Sequence, residues 1–110
     1  MIDNGAFYRN AYTSFEVTLP DSIKTIGSSA FIMEYSCSLK VSIKKGLAYI
    51  DNYAFTCLYG IATINFEGTK EEWNAISKAE YWYAPYLGLG DQTIRVNCTD
   101  GALTFEYKMQ

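Results

Sequence analysis

The sequence predicts an α+β fold in which three short repeats wind into a solenoid with a small parallel sheet, closed by a C-terminal helix and a β-hairpin. Three observations predict it: a 24-residue internal repeat, an alternating apolar segment in each copy, and a non-repeating pattern after residue 66. Repeats of about 20 to 30 residues with one short strand are typical of solenoids, because one unit alone cannot bury its apolar face. A chain of 110 residues is one domain's worth.

The repeat is marked by the motif Ile-x-x-x-Ala-Phe, whose phenylalanine recurs at Phe7, Phe31 and Phe55. Each copy then carries a segment in which apolar residues alternate, as in a half-buried strand. These segments are 15–19, 39–43 and 62–66. We expect equivalent side chains to stack in ladders that form the core. The ladders are Ile2/Ile26/Ile50, Phe7/Phe31/Phe55, Val17/Val41/Ile64 and Leu19/Ile43/Phe66.

The pattern changes after Phe66, which divides the chain into repeats (1–66) and a C-terminal cap (67–110). Thr69 and Glu72 have the spacing of a capping box and predict a helix at about 70–78, with Trp73 and Ile76 facing inward. An aromatic loop is expected at 79–92. A hairpin is expected at 93–107, because two alternating segments flank an Asp-Gly turn.

Composition excludes several classes of function. The chain has no histidine, so a Ser/His triad, a Cys/His dyad and a His-ligated zinc site each lack a required part. The net charge is −3 and the 9 Lys and Arg residues are scattered, which predicts no nucleic-acid surface. We therefore expect no catalytic residues, no metal site and no cofactor. The adjacent acids Glu71 and Glu72 are explained by a helix start, where acids favour the dipole.

Cysteine pairing stays open. Cys37, Cys57 and Cys98 contain no C-x-x-C pair and leave an odd thiol under any single pairing. The commonest use of such residues is as small, partly buried apolar side chains. Asn97-Cys98-Thr99 is formally a glycosylation sequon, and Asp3 and Asp51 recur at one repeat position beside a turn.

The residues resemble the BspA-type leucine-rich-repeat family, whose repeats run as Leu-x-x-Ile-x-Ile-Pro, a turn, Val-x-x-Ile-Gly and Ala-Phe. The matching stretch is 17–31, and 66–76 with 94–101 is similar to the segment that commonly closes such arrays. This resemblance implies a parallel-sheet solenoid that binds proteins or other macromolecules and carries no catalytic residues. Family members are typically secreted and longer. The N-terminus shows no signal peptide, which predicts a cytoplasmic location for the chain as given. If the chain is a fragment of a longer protein, a cell-surface or secreted location is the alternative.

Two sets of residues are candidates for partner binding. Residues between the ladder positions should point outward from the strands: Glu16, Lys40 and Thr63 form one row, and Thr18, Ser42 and Asn65 the next. Three strands offer only about 240 Å², against about 800 Å² per partner in a standard interface. Binding would then need the tyrosine-rich loops, above all the 81–86 loop, with Trp82 and Tyr83 the most exposed. The candidate residues are Trp82, Tyr83, Tyr81, Tyr86, Tyr12, Tyr35, Tyr59, Glu16 and Lys40.

The preferred function is a non-enzymatic protein-binding module that uses tyrosine-rich loops and coil edges. Two alternatives remain: a small intracellular inhibitor or regulator that occludes an enzyme, and a purely structural C-terminal end of a longer surface adhesin. No membrane span is expected, since the longest uncharged aromatic stretch is short and broken by Pro85. Because the N-terminal coil would leave an open sheet edge, we expect a homodimer through that coil.

Overall fold

The computed structural model describes residues 7–9, 14–33, 38–57, 61–85 and 90–108. Within them lie eleven strands and one helix. The strands are β1 (Phe7–Arg9), β2 (Ser14–Thr18), β3 (Thr25–Ile26), β4 (Phe31–Met33), β5 (Ser38–Ile43), β6 (Tyr49–Ile50), β7 (Phe55–Cys57), β8 (Ile61–Phe66), β9 (Ser77–Lys78), β10 (Gln92–Cys98) and β11 (Gly101–Tyr107). The helix is α1 (Lys70–Ala75).

The strands belong to three sheets, and the repeats supply all of them except β9, β10 and β11, which lie in the cap. The first sheet has the order β1-β4-β7, the third sheet β3-β6-β9, and the main sheet β11-β10-β8-β5-β2. All pairings are parallel except the β10–β11 hairpin. Because strands of successive repeats lie side by side, the backbone groups of one coil are satisfied by the next.

The 24-residue spacing sets the register. Phe7 pairs with Phe31, and Phe31 with Phe55, as predicted from the repeat. The rings of Phe31 and Phe55 stack with centroids 5.5 Å apart and planes 9° from parallel. Ile26 pairs with Ile50, whereas the predicted third member, Ile2, lies outside the described residues.

The core is formed by the inward side chains of these strands. Val17, Val41 and Ile64 are in register, and β10 adds Val96 to the same ladder. Leu39, Val41, Ile64 and Val96 are fully buried. Each such side chain contributes roughly 1.5 to 3 kcal/mol when removed from water.

The turns that follow the third sheet repeat a left-handed backbone. Ser29 and Tyr53, 24 residues apart, have φ values of 56° and 58°. The backbone N–H of Ser29 donates to the carbonyl of Asn52, and that of Tyr53 to the carbonyl of Tyr81. The preceding Asp51 accepts a bond from the backbone N–H of Asn52 at 2.8 Å, which supports the predicted turn role of this acid.

The helix starts where the capping box predicts. The Thr69 hydroxyl accepts from the N–H of Glu72, and the Glu72 carboxylate accepts from the N–H of Thr69. This backbone bond, together with Lys45, lowers the pKa of Glu72. Asp100 adds a bond from the backbone N–H of Lys70, 2.8 Å long, which ties the hairpin turn to the helix start.

The predicted helix end at about residue 78 is wrong. α1 ends at Ala75, Ile76 is extended (ψ 131°), and Ser77 and Lys78 form β9, which pairs with β6. The Lys78 ammonium donates to the carbonyls of Trp73 and Ile76 at 2.7 and 2.9 Å, and the Trp73 carbonyl also accepts from the backbone N–H of Ile76, so Lys78 adds a second donor at the helix end. Partial burial there lowers the pKa of Lys78.

The hairpin does more than close the array. β10 pairs in parallel with β8, so the hairpin extends the main sheet from three strands to five. β10 and β11 pair antiparallel from Gln92 to Tyr107, and the pairing of β10 with β8 was not part of the sequence prediction. A period-2 pattern shows that a segment is a strand and not which strand lies beside it.

The segment expected to be an aromatic loop contributes to the core. Trp82 is 6% exposed and packs edge-on against Trp73 (5.7 Å between centroids) and Phe105 (4.9 Å). Gln92 is buried, and its amide nitrogen donates to the carbonyls of Phe55 (2.6 Å) and Tyr83 (2.8 Å). The expected exposure of Trp82 is therefore wrong: this side chain is buried among the aromatic rings of the cap.

No helix in the described part of the chain is long and apolar enough to span a membrane.

Candidate functional site

The surface of the main sheet that faces away from the core, here called the open face, carries two polar rows. The charged row contains Glu16, Lys40, Thr63, Arg95 and Thr104, which are neighbours in register on five successive strands. The amide row contains Thr18, Ser42, Asn65, Asn97 and Ala102. Both rows are exposed or half-exposed.

Hydrogen bonds orient the two asparagines of the amide row, Asn65 on β8 and Asn97 on β10. The side-chain nitrogen of Asn97 donates to Asn65 Oδ1 at 3.0 Å, and Arg95 Nε donates to Asn97 Oδ1 at 3.1 Å. Asn97 is thus held from both sides. Its amide nitrogen, the atom to which a glycan would be attached in the sequon, donates a hydrogen bond to Asn65.

A groove of about 300 Å³ lies at the carboxyl ends of β2, β5 and β8. It is lined by Thr18, Ser42, Ile43, Lys44, Asn65, Phe66 and Glu67. Lys44 Nζ lies 3.3 Å from Glu67 Oε1, with side chains 41% and 60% exposed. An ion pair this exposed contributes little stability, so both groups can exchange partners at low cost.

The open face is larger than three strands allow. Five strands about 4.8 Å apart, each about six residues long, offer roughly 24 by 20 Å, or about 480 Å². This is a little over half of the roughly 800 Å² that one partner buries in a standard interface. The estimate from sequence was too small because it left out β10 and β11.

The candidate residues of the tyrosine-rich loops fall into three groups. Trp82 is core, and Tyr83 is half-buried against Trp82 and Phe105. Tyr81 is 46% exposed and stacks on Tyr53, with centroids 6.4 Å apart. Tyr12, Tyr35, Tyr59 and Tyr86 lie outside the described residues. Among the described loop candidates, Trp82 and Tyr83 pack against Phe105 on the core side of the main sheet and not on the open face.

The candidates on the strands are exposed. Glu16 and Lys40 are adjacent in register, and both side chains are exposed. Sequence reasoning missed Arg95, the next cation in the same row. It precedes Val96 as Lys40 precedes Val41, and aligning β10 with the repeats by this pattern would have found it.

The surroundings of Cys98 disfavour the thiolate form of its side chain. Cys98 is a free, half-buried cysteine. Burial raises the pKa of its thiol, and the charge of Asp100 raises it further. A thiol of raised pKa is a poor nucleophile near neutral pH. In the described ranges, no group of three or more His, Cys, Asp or Glu side chains is arranged to hold a metal ion.

Comparison with known proteins gives one match. A family model described as "BspA type Leucine rich repeat region (6 copies)" matches residues 1–81. The match covers well over half of the chain and ends just after β9. Neither the curated proteins nor the solved structures gave a match.

Proposed function

Since the chain belongs to the BspA-type leucine-rich-repeat family, a family of repeat modules for protein interaction, we propose that it is a short capped solenoid that binds a protein partner without catalysis. In this proposal residues 1–66 supply the repeats and residues 67–110 close their C-terminal end. The observation that carries the proposal is the open face, a continuous polar surface of five strands, three from equivalent positions of the repeats and two from the C-terminal hairpin.

The charges on the open face favour a partner with complementary charge. Lys40 and Arg95 are exposed cations in one row, and Glu16 lies at the β2 end of that row. Such a row steers an encounter and fixes the orientation of a partner more than it adds affinity. The groove beside Lys44 and Glu67 provides depth for one side chain of the partner.

The open face supplies about half of a standard footprint, so the contact must include neighbouring loops. Tyr81 stays a candidate for such a contact because it is exposed and its ring is held by stacking on Tyr53. Tyrosine offers a large contact area at low cost in side-chain entropy. Tyr83, half-buried in the cap, is a weaker candidate.

The test is a comparison of matched charge reversals. Lys40→Glu reverses a cation on the open face, and Lys24→Glu reverses an exposed cation that precedes β3, away from that face. Each protein is immobilised and exposed to the same native extract, after thermal melting confirms that all variants are folded. We expect a captured protein that wild type and Lys24→Glu retain and Lys40→Glu loses.

Two outcomes contradict the proposal. Capture that is equal for all three proteins would mean that the open face is not the contact. If Tyr81→Ala fails to capture the partner and Lys40→Glu captures it fully, the contact lies at the 81–86 loop and not on the open face.

A further inference from the structure

The outer edge of the main sheet at β11 has a sequence that complements itself. β11 pairs with β10 on one side and, within the described residues, is the terminal strand of the sheet. Its seven residues extend about 23 Å. A strand of that length with free backbone groups is a template for pairing with another strand.

The hairpin register shows which backbone groups face outward. Cys98 and Gly101 close a two-residue loop. In such a hairpin the closing pair is a hydrogen-bonded pair and the pairs alternate from there, so every second residue from Gly101 bonds to β10. The N–H and C=O groups of Ala102, Thr104 and Glu106 therefore face away from β10. Thr104 is the middle residue of the strand.

We propose that β11 pairs antiparallel with β11 of a second copy of this chain, about a two-fold axis at Thr104. This register overlaps all seven residues of both strands. It sets Thr104 opposite Thr104 of the partner, a favoured cross-strand pair. It also sets Leu103 opposite the partner's Phe105, and both of these side chains are half-buried apolar residues that the single copy leaves incompletely covered.

Charge complementarity supports the same register. It brings the exposed Asp100, in the turn just before β11, next to the partner's Lys108, just after β11, and the symmetry makes this contact twice. Asp100 keeps its bond from the backbone N–H of Lys70, and a carboxylate can accept further bonds. Shifting the two-fold axis by two residues would set Glu106 opposite Glu106 of the partner, which like-charge repulsion disfavours.

The size of the contact predicts a weak dimer. One strand edge buries well under the roughly 1,200 to 2,000 Å² of a standard interface. We expect a dissociation constant on the order of 100 µM. Added salt should weaken the dimer, because Asp100 and Lys108 are exposed and their attraction is screened.

Three matched threonine-to-glutamate variants test the proposal by sedimentation equilibrium up to about 1 mM. Thr104→Glu places two carboxylates at the two-fold axis, whereas within one chain it gains Arg95 as a cross-strand neighbour, so the monomer should stay folded. Thr63→Glu makes the same change in β8, at the centre of the sheet. Thr18→Glu makes it in β2, at the opposite edge.

We expect Thr104→Glu to raise the dissociation constant at least about tenfold, with Thr63→Glu and Thr18→Glu close to wild type. A dimer that only Thr18→Glu weakens would overturn the proposal in favour of pairing through the N-terminal coil. If the wild-type protein sediments as a monomer at every concentration, the proposal is also overturned. The β11 edge would then be available for pairing with a strand of a different protein.

Discussion

Phe31→Ala removes the central ring of the ladder that the 24-residue spacing defines. Phe31 is fully buried, its ring stacks on Phe55 at 5.5 Å, and its backbone N–H donates to the carbonyl of Ala54 at 2.9 Å. The backbone bond survives the substitution, so the loss comes from the side chain. Truncating a buried phenylalanine costs about 3 to 5 kcal/mol, because the transfer free energy is lost and a cavity remains.

That cost is large for a chain of this size. Single domains have free energies of unfolding of about 5 to 15 kcal/mol, so the variant would lose from a fifth to nearly all of its stability. In a repeat array the middle coil also contacts both neighbours, so the damage cannot be confined to one end. We expect the melting temperature to fall by roughly 10 to 25 °C.

Urea unfolding is the assay, followed by fluorescence of Trp73 and Trp82, which are buried in the cap and report its loss. Two controls accompany it. Phe31→Leu keeps most of the volume and should cost less than the alanine variant, and Tyr49→Ala removes an aromatic ring that is 36% exposed and should cost about 1 kcal/mol or less. A loss below about 1 kcal/mol for Phe31→Ala would refute the reasoning that Phe31 is a ladder residue.

Three further predictions concern single residues. Ser29→Gly should raise the free energy of unfolding by about 0.5 to 1 kcal/mol, since φ is 56° there and glycine adopts this conformation without strain. The control is Ser28→Gly, at a neighbour outside the left-handed region, which should lower the free energy of unfolding in the same urea titration. Gln92→Leu should cost about 1 to 3 kcal/mol, because the carbonyls of Phe55 and Tyr83 each lose a donor in a buried site; a cost near zero in thermal melting would contradict this bonding. The raised pKa of Cys98 means that the folded state binds its proton more tightly than the unfolded state, so stability is full below the unfolded pKa and falls as the pH rises through the folded pKa. Cys98→Ala should flatten that fall above about pH 9, and an unchanged pH profile would argue against the shift.

The repeat was readable from the sequence because identical residue types recur at one spacing. A parallel stack requires equivalent residues to lie side by side, so the spacing between Phe31 and Phe55 is also the register between β4 and β7. The helix start was readable for a similar reason, since Thr69 and Glu72 satisfy each other's backbone within four residues. In both cases the determinant is a pattern in the sequence itself: a recurring spacing for the repeat, and two residues three positions apart for the helix start.

What the sequence did not reveal depends on contacts between distant segments. The pairing of β10 with β8 joins Thr93 to Ile61, and no motif spans that separation. Trp82 is buried because it contacts Trp73 and Phe105. The sequence around Trp82 has no apolar periodicity, so it did not predict these contacts. The end of α1 coincides with the pairing of β9 with β6, which joins Ser77 to Tyr49, a residue distant along the chain.

The open face was underestimated for the same reason. Its two predicted charged residues, Glu16 and Lys40, are exposed neighbours. Its third charged residue, Arg95, enters the row only because the hairpin joins the sheet. Partner binding is therefore proposed for a surface that the cap helps to build.

Inter-residue nuclear Overhauser effects test the central claim most directly. If the chain winds so that equivalent positions of successive repeats lie beside each other, the ring protons of Phe31 and Phe55 will be in contact, and the backbone protons of Val41 will contact those of Ile64. Contacts of β4 and β5 with each other as an antiparallel hairpin, without any contact between Phe31 and Phe55, would contradict the account.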